Sequence, residues 1–237
     1  MTYRSSRLAA PAVLAVLAVL AALAVPAALA AQDLADLCKA VGNANVGQWA
    51  AFDATGGRSG GGGGGGGGKL RLAIVGSERV GDSTLYWFEV NFTGPDPSHS
   101  GIVQILTPGV GAGPGGTHAV IIKAGAQPAT KISGQMAGML GKQAGQDNSA
   151  FDWAARCMRA HVVGWESVTV PAGTFRALHV TTEDAGEVWA SRDIPFGLVK
   201  VHDKRNDLVL TGHGADAKSS ITEAPQEMSL PGLMTKP

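Results

Sequence analysis

Between residues 162 and 212 the chain reverses at short, regular intervals, and no other feature limits its fold as tightly. Short runs rich in apolar and β-branched residues alternate with turn clusters at Pro171-Ala172-Gly173, Asp184-Ala185-Gly186, Pro195-Phe196-Gly197 and 204–207. Proline presets φ and glycine accepts the positive φ that tight turns need, so each cluster reverses the chain instead of extending a helix. The spacing predicts strands at 162–170, 174–182, 187–191, 198–202 and 208–212. Turn signals every eight to twelve residues are the pattern of an antiparallel sheet.

The same reading extends toward the N-terminus. Residues 46–53 form a strand-like run with Trp49 and Phe52, and residues 69–74 alternate, placing Leu70, Leu72 and Ile74 on one face. Further strands are predicted at 85–92, 101–107 and 117–124. Only short helices fit: 32–43, with Leu34, Leu37, Cys38 and Val41 at helical spacing, and 151–160, with Phe151, Ala154, Ala155 and Met158 on one side. The chain is therefore predicted to be mainly β, with a few short helices. The glycine run at 56–68 has almost nothing to bury, which predicts a flexible surface loop. Lying between two strand-like runs, it reads as an expanded hairpin loop, a domain linker being the alternative. The segment 215–237 is expected to be a loose C-terminal tail.

Residues 1–30 read as a signal peptide. Arg4 and Arg7 precede a long apolar run, and Ala28-Leu29-Ala30 offers small residues two apart for cleavage. A retained membrane anchor is the alternative. Leu37 before Cys38 is the wrong residue for a lipobox, so no lipidation is predicted. Residues 31–214 are then expected to form one β-rich domain in the periplasm or outside the cell, long enough for a sizeable core. In such an oxidising compartment Cys38 and Cys157 are expected to pair, two separate buried thiols being the other possibility.

Charge and motifs exclude several functions. Setting Arg4 and Arg7 aside leaves seventeen basic residues against nineteen acidic ones, with no basic stretch suited to nucleic acid. The string from Gly63 to Lys69 matches a phosphate-loop spacing, but Leu70 stands where a hydroxyl must meet Mg²⁺, and a strand follows it. Gly111, Gly113 and Gly116 likewise lead into a strand, so no nucleotide or dinucleotide site is predicted. Ser59 sits in a formal G-x-S-x-G inside the glycine run, without the strand and helix a nucleophile elbow needs. Six histidines show no metal-ligand spacing, so neither a metal nor a cofactor is expected.

The remaining candidates are individual residues. Glu89, after Tyr86-Trp87-Phe88, is expected to be buried and paired or to lie at a strand edge. An enzyme would require two or three of His161, His179, His202, Glu89 and Glu166 to meet in one pocket, and no catalytic residue is assigned. Trp49, Trp87, Trp165 and Trp189 fall on predicted strands. Packing in the core is their ordinary role; the functional alternative is that they line an apolar cavity.

The string VPAGTF (170–175), followed by Trp189, Ser191, Asp193, Pro195 and Gly197-Leu198-Val199-Lys200, resembles a group of uncharacterised exported bacterial proteins. Tyr86 to Glu89 and 122–129 look like the same group. These proteins resemble the superfamily of the periplasmic lipoprotein carriers LolA and LolB. That resemblance implies a strongly curved antiparallel sheet, an incomplete β-barrel lidded by short helices. It also implies a non-enzymatic, monomeric binding or carrier module for a lipid, acyl chain or other apolar ligand. The alternative is a scaffold that docks an envelope protein and carries no ligand.

Overall fold

The computed structural model describes residues 32–43, 45–56, 67–96, 98, 100–112, 116–139, 157–183, 186–203 and 206–228. The predicted signal peptide, most of the glycine run and residues 151–156 of the second predicted helix lie outside them.

Alternation in the sequence becomes strand wherever it was strong. In chain order the strands are β1 (Trp49–Gly56), β2 (Gly68–Val80), β3 (Ser83–Thr93), β4 (Gly101–Thr107), β5 (Ala119–Ala124) and β6 (Thr130–Ser133). After these come β7 (His161–Val170), β8 (Gly173–Thr182), β9 (Gly186–Ala190), β10 (Leu198–His202), β11 (Asn206–Gly214) and β12 (Gln226–Glu227). They make one sheet, ordered β12-β6-β5-β4-β3-β2-β1-β11-β10-β9-β8-β7 and not closed into a barrel. All pairs are antiparallel except β12 with β6. Among the described residues α1 (residues 32–41) and α2 (residues 134–139) accompany it, and residues 157–158 are also helical.

The sheet is strongly curved, as expected, and the ladder shows why. Register shifts interrupt the pairs β1–β11, β2–β3, β7–β8 and β9–β10. Each such irregularity adds local twist and bend. The curl is sufficient for the β7–β8 turn, at the far edge, to reach β11: Ala172 N–H donates to the Leu210 carbonyl at 3.2 Å. The glycine run joins two adjacent strands, since β1 and β2 pair up to Ala54 and Gly68.

Side chains alternate between two faces, and cross-strand partners share one. On the first face lies the main core, where Leu34, Leu37, Cys38 and Val41 of α1 pack against Phe52, Ile74, Leu178, Val188 and Leu210. A disulfide between Cys38 and Cys157, the first of the two outcomes expected for these cysteines, fixes α1 to a distant part of the chain. The Pro195–Gly197 turn is the seat of that helix. Phe196 and Gly197 both have positive φ, 63° and 72°. A Cβ on Gly197 would stand 2.2 Å from Val41 Cγ2, so only glycine lets α1 approach this closely. Asp33 at the start of α1 accepts from Trp165 Nε1 at 2.9 Å and pairs with Arg192 at 3.3 Å.

The second face carries the clearest departure from expectation. Residues 215–228 are not a loose tail; they run as a strap across β3 to β6. Ala217 N–H donates to the Gly47 carbonyl, and Gln226 N–H to that of Ala129, both at 2.8 Å. Ile221 seals a small core of Leu85, Trp87, Leu106, Ala119 and Ile121. The strap is short of apolar residues, so its own composition gave no hint that it docks. Residues 229–237 lie outside the described set.

Candidate functional site

On the face that bears α1, Leu70 and Leu72 pack against the main core and Val103 against a small cluster that includes Ala137 of α2, and the sheet between them is only partly covered. Register places Leu72, Val90, Val103 and Ile122 in one row across β2 to β5, with Leu70 and Phe92 paired beside it. All but Ile122 are half-buried, and Ile122 is 41% exposed. Phe92 lies over the glycine that opens β2: a Cβ on Gly68 would come within 2.8 Å of the ring. At the same end of the sheet a shallow depression of about 370 Å³ opens between β3 and β4, lined by Thr93, Gly94, Pro95, Asp96, Ser100 and Gly125. Chemically this strip offers dispersion and apolar burial, and among the described residues that line the depression Asp96 is the ionisable one.

The four strand tryptophans do not converge on that strip. By register, Trp49, Trp87 and Trp189 share the opposite face, and only Trp165, opposite Leu178, lies on the α1 side. Each indole N–H instead donates to a carboxylate: Trp49 to Asp216 at 2.7 Å, Trp87 to Glu78 at 2.8 Å, Trp165 to Asp33 at 2.9 Å and Trp189 to Glu166 at 3.0 Å. Cations cover three of the rings, Arg71 over Trp49, Arg176 over Trp165 and Lys200 over Trp189. The Trp49 contact moors the strap and the Trp165 contact moors α1. A donated indole N–H holds the Asp216 carboxyl below its ordinary range; Trp189 and then His179 do the same for Glu166.

Glu89 is buried and paired, the first of the two expected outcomes. It is fully inaccessible, and its carboxylate accepts from Gln104 at 2.8 Å, Ser220 N–H at 2.9 Å, Ser220 Oγ at 2.7 Å and Arg71 at 3.3 Å. Gln104 also donates to Ser219 at 2.7 Å. With its donors supplied by the sheet and by the strap, Glu89 is a latch and is enclosed on all sides. Lys123 pairs with Glu223 further along the strap and lowers that carboxyl's pKa.

Of the residues an enzyme would require, His179 and Glu166 do meet, with Nδ1 2.8 Å from Oε1. His161 and His202 lie on the same face, reached through the register pairs with Thr181 and Glu187. These side chains stand along the sheet surface, His202 and Glu166 about half-exposed, and Glu89 is shut away under the strap. Sequence spacing could not have found the His179 group, because its members come from β7, β8, β9 and β10.

No family model matches the chain, and no curated protein matches it. Among solved structures it is similar to a "putative lipoprotein" from Parabacteroides distasonis, at 12% identity and a TM-score of 0.34, covering 73% of this chain and 98% of that one. It is also similar to a "putative exported protein with YmcC-like fold" from Bacteroides fragilis, at 9% identity and a TM-score of 0.31, covering 72% and 97%. Likenesses this weak carry no argument about activity.

Proposed function

We propose that this chain is an exported binding or carrier module for an apolar ligand such as a lipid or acyl chain, working without catalysis in the periplasm or outside the cell. One observation carries the reading: the half-buried apolar row Leu72-Val90-Val103-Ile122, flanked by Leu70 and Phe92, between the α1-packed core and the cluster that includes Ala137 of α2. At about 0.8 kcal/mol per buried methylene, covering half of a long acyl chain contributes roughly 6 kcal/mol before the cost of association, so micromolar binding requires most of the chain to be covered. The ligand lies along the strip, with its polar end toward the Thr93–Ser100 depression. Among the described residues no helix is long and apolar enough to cross a membrane.

The test is native mass spectrometry and lipid extraction of protein exported by a bacterial host, with titration of the fluorescent fatty acid cis-parinaric acid. Wild type binds the probe, and Val90→Asp, at a half-buried position, abolishes binding while leaving the melting curve largely in place. Protein that emerges ligand-free and ignores the probe overturns the proposal. Co-purification of an envelope protein that Val90→Asp releases would favour the scaffold reading, in which the same strip docks a partner.

A further inference from the structure

Among the described residues, one buried side-chain nitrogen has no hydrogen-bond partner: Nε2 of His179, a residue of β8 that is 7% exposed. Carboxylates stand at both ends of its ring. Glu166 of β7 faces Nδ1 at 2.8 Å, and Glu187 of β9 places Oε1 3.5 Å from Nε2. Trp189 of β9 stacks on the imidazole, with centroids 4.5 Å apart and planes 16° from parallel. The same indole donates to the second oxygen of Glu166 at 3.0 Å.

Neither neutral form of the ring suits these neighbours. A carboxylate only accepts, and a neutral imidazole has one N–H and one bare lone pair. With the hydrogen on Nδ1, the lone pair of Nε2 faces Glu187; with the hydrogen on Nε2, the lone pair of Nδ1 faces Glu166 at closer range. Only the imidazolium, a donor at both nitrogens, meets both carboxylates with the right sign. Burial opposes its charge, while two anions and the face of an indole favour it. Glu166 is ionised to receive it: donation from Trp189, and then from His179, holds its carboxyl below the ordinary range. Glu187 is half-exposed and free to close on Nε2.

We propose that His179 carries a proton on both ring nitrogens in the folded protein and is a pH-set clamp, tying β8 to β7 through Glu166 and to β9 through Glu187. The clamp lies on the face opposite α1, yet its strands are among those that moor that helix: Trp165 of β7 holds Asp33, and the turn after β9 seats Val41. The stability the clamp lends is complete below the ordinary histidine range of about 6.5 and is lost as rising pH removes the second proton. Nε2 then turns a lone pair toward Glu187, and β9 loses a tie to β8. Lys200 of β10 lies over the Trp189 indole, Nζ 4.7 Å from its centroid, and its charge opposes the clamp. His161 and His202 are reached through the register pairs with Thr181 and Glu187, and Asp207 of β11 pairs with His202 at 2.5 Å. The clamp is independent of the ligand proposed above.

The experiment follows the histidine side chains of the full exported chain by ¹H–¹⁵N spectroscopy between about pH 5 and about pH 9, with Glu187→Gln as the comparison. In wild type His179 shows both Nδ1–H and Nε2–H at neutral pH. In Glu187→Gln the second proton leaves at lower pH, because the anion that retains it is gone. Amide hydrogen exchange adds a readout that a packing role would not move. At the acid end, the β7–β9 amides of wild type are better protected than those of the variant by about threefold to tenfold. At the alkaline end the order reverses, because the glutamine NH₂ donates to the bare Nε2. One unprotonated ring nitrogen in wild type at neutral pH overturns the proposal, as does a difference in protection that stays the same across the range.

Discussion

Replacing Glu89 by glutamine changes one atom in a fully inaccessible carboxylate, and its effect can be worked out contact by contact. Oε1 accepts from Arg71 and Ser220 Oγ, and Oε2 from Gln104 and Ser220 N–H. An amide has one accepting oxygen, so its NH₂ must face two donors on one side or the other. The better choice turns NH₂ toward Oε1, because the Ser220 hydroxyl can rotate to accept while Arg71, partly exposed, recovers contact with water. The remaining bonds lose their charge assistance. At 1.5–3 kcal/mol for a hydrogen bond to a charged group, with part recovered, the loss is about 2–3 kcal/mol. For a chain of this size that lowers the midpoint by about 5–10 °C. Urea unfolding gives the energy, and amide hydrogen exchange shows where it falls: protection should drop first in residues 217–228, whose mooring Glu89 provides, and less in β7 to β9. A loss below about 0.5 kcal/mol, typical of an ordinary surface site, would refute the latch, as would unchanged exchange in the strap.

Three more outcomes follow from the same contacts. Gly197→Ala should destabilise by about 1–3 kcal/mol, since alanine resists a φ of 72° and its methyl meets Val41. Adding Val41→Ala should restore the part due to the clash and not the part due to backbone strain, which a denaturation cycle separates. Removing the disulfide by Cys38→Ala with Cys157→Ala frees a loop spanning a sequence separation of 119 residues, for a loss of about 4–5 kcal/mol in the chain-entropy model. Equal denaturation midpoints for the two forms would contradict it. Asp216 and Glu223 both have pKa values lowered in the folded state, so the stability they lend is present above the ordinary carboxylate range and lost as pH falls through their folded values. Protection of the strap amides, relative to their intrinsic exchange rate, should therefore fall below about pH 4 ahead of the β7–β9 amides; a uniform loss of protection would count against this.

Local pattern determined much of this protein. The strands β4 and β10 begin and end where the sequence predicts, and Gly173 and Gly186 take positive φ at the bends read from composition. These features were legible because period-two alternation and turn chemistry act within a few residues. The face of α1 that carries Leu34, Leu37, Cys38 and Val41 was readable for the same reason, at its own period.

Strands β6 and β12 were not legible: Thr130-Lys131-Ile132-Ser133 has one large apolar residue and Gln226-Glu227 has none. They are strands because a neighbour presents unpaired backbone groups to them. The tryptophans show the limit most plainly. Their type and strand placement were visible, but not that Trp49 would meet Asp216 or Trp165 meet Asp33, 167 and 132 residues away. The same holds for Glu89, whose burial was foreseeable and whose partner Ser220 was not. Alternation says that a side chain leaves the sheet on one face or the other. Which face is covered, and by what, depends on how a curved twelve-stranded sheet brings distant segments over it, and that was decided only in the tertiary structure.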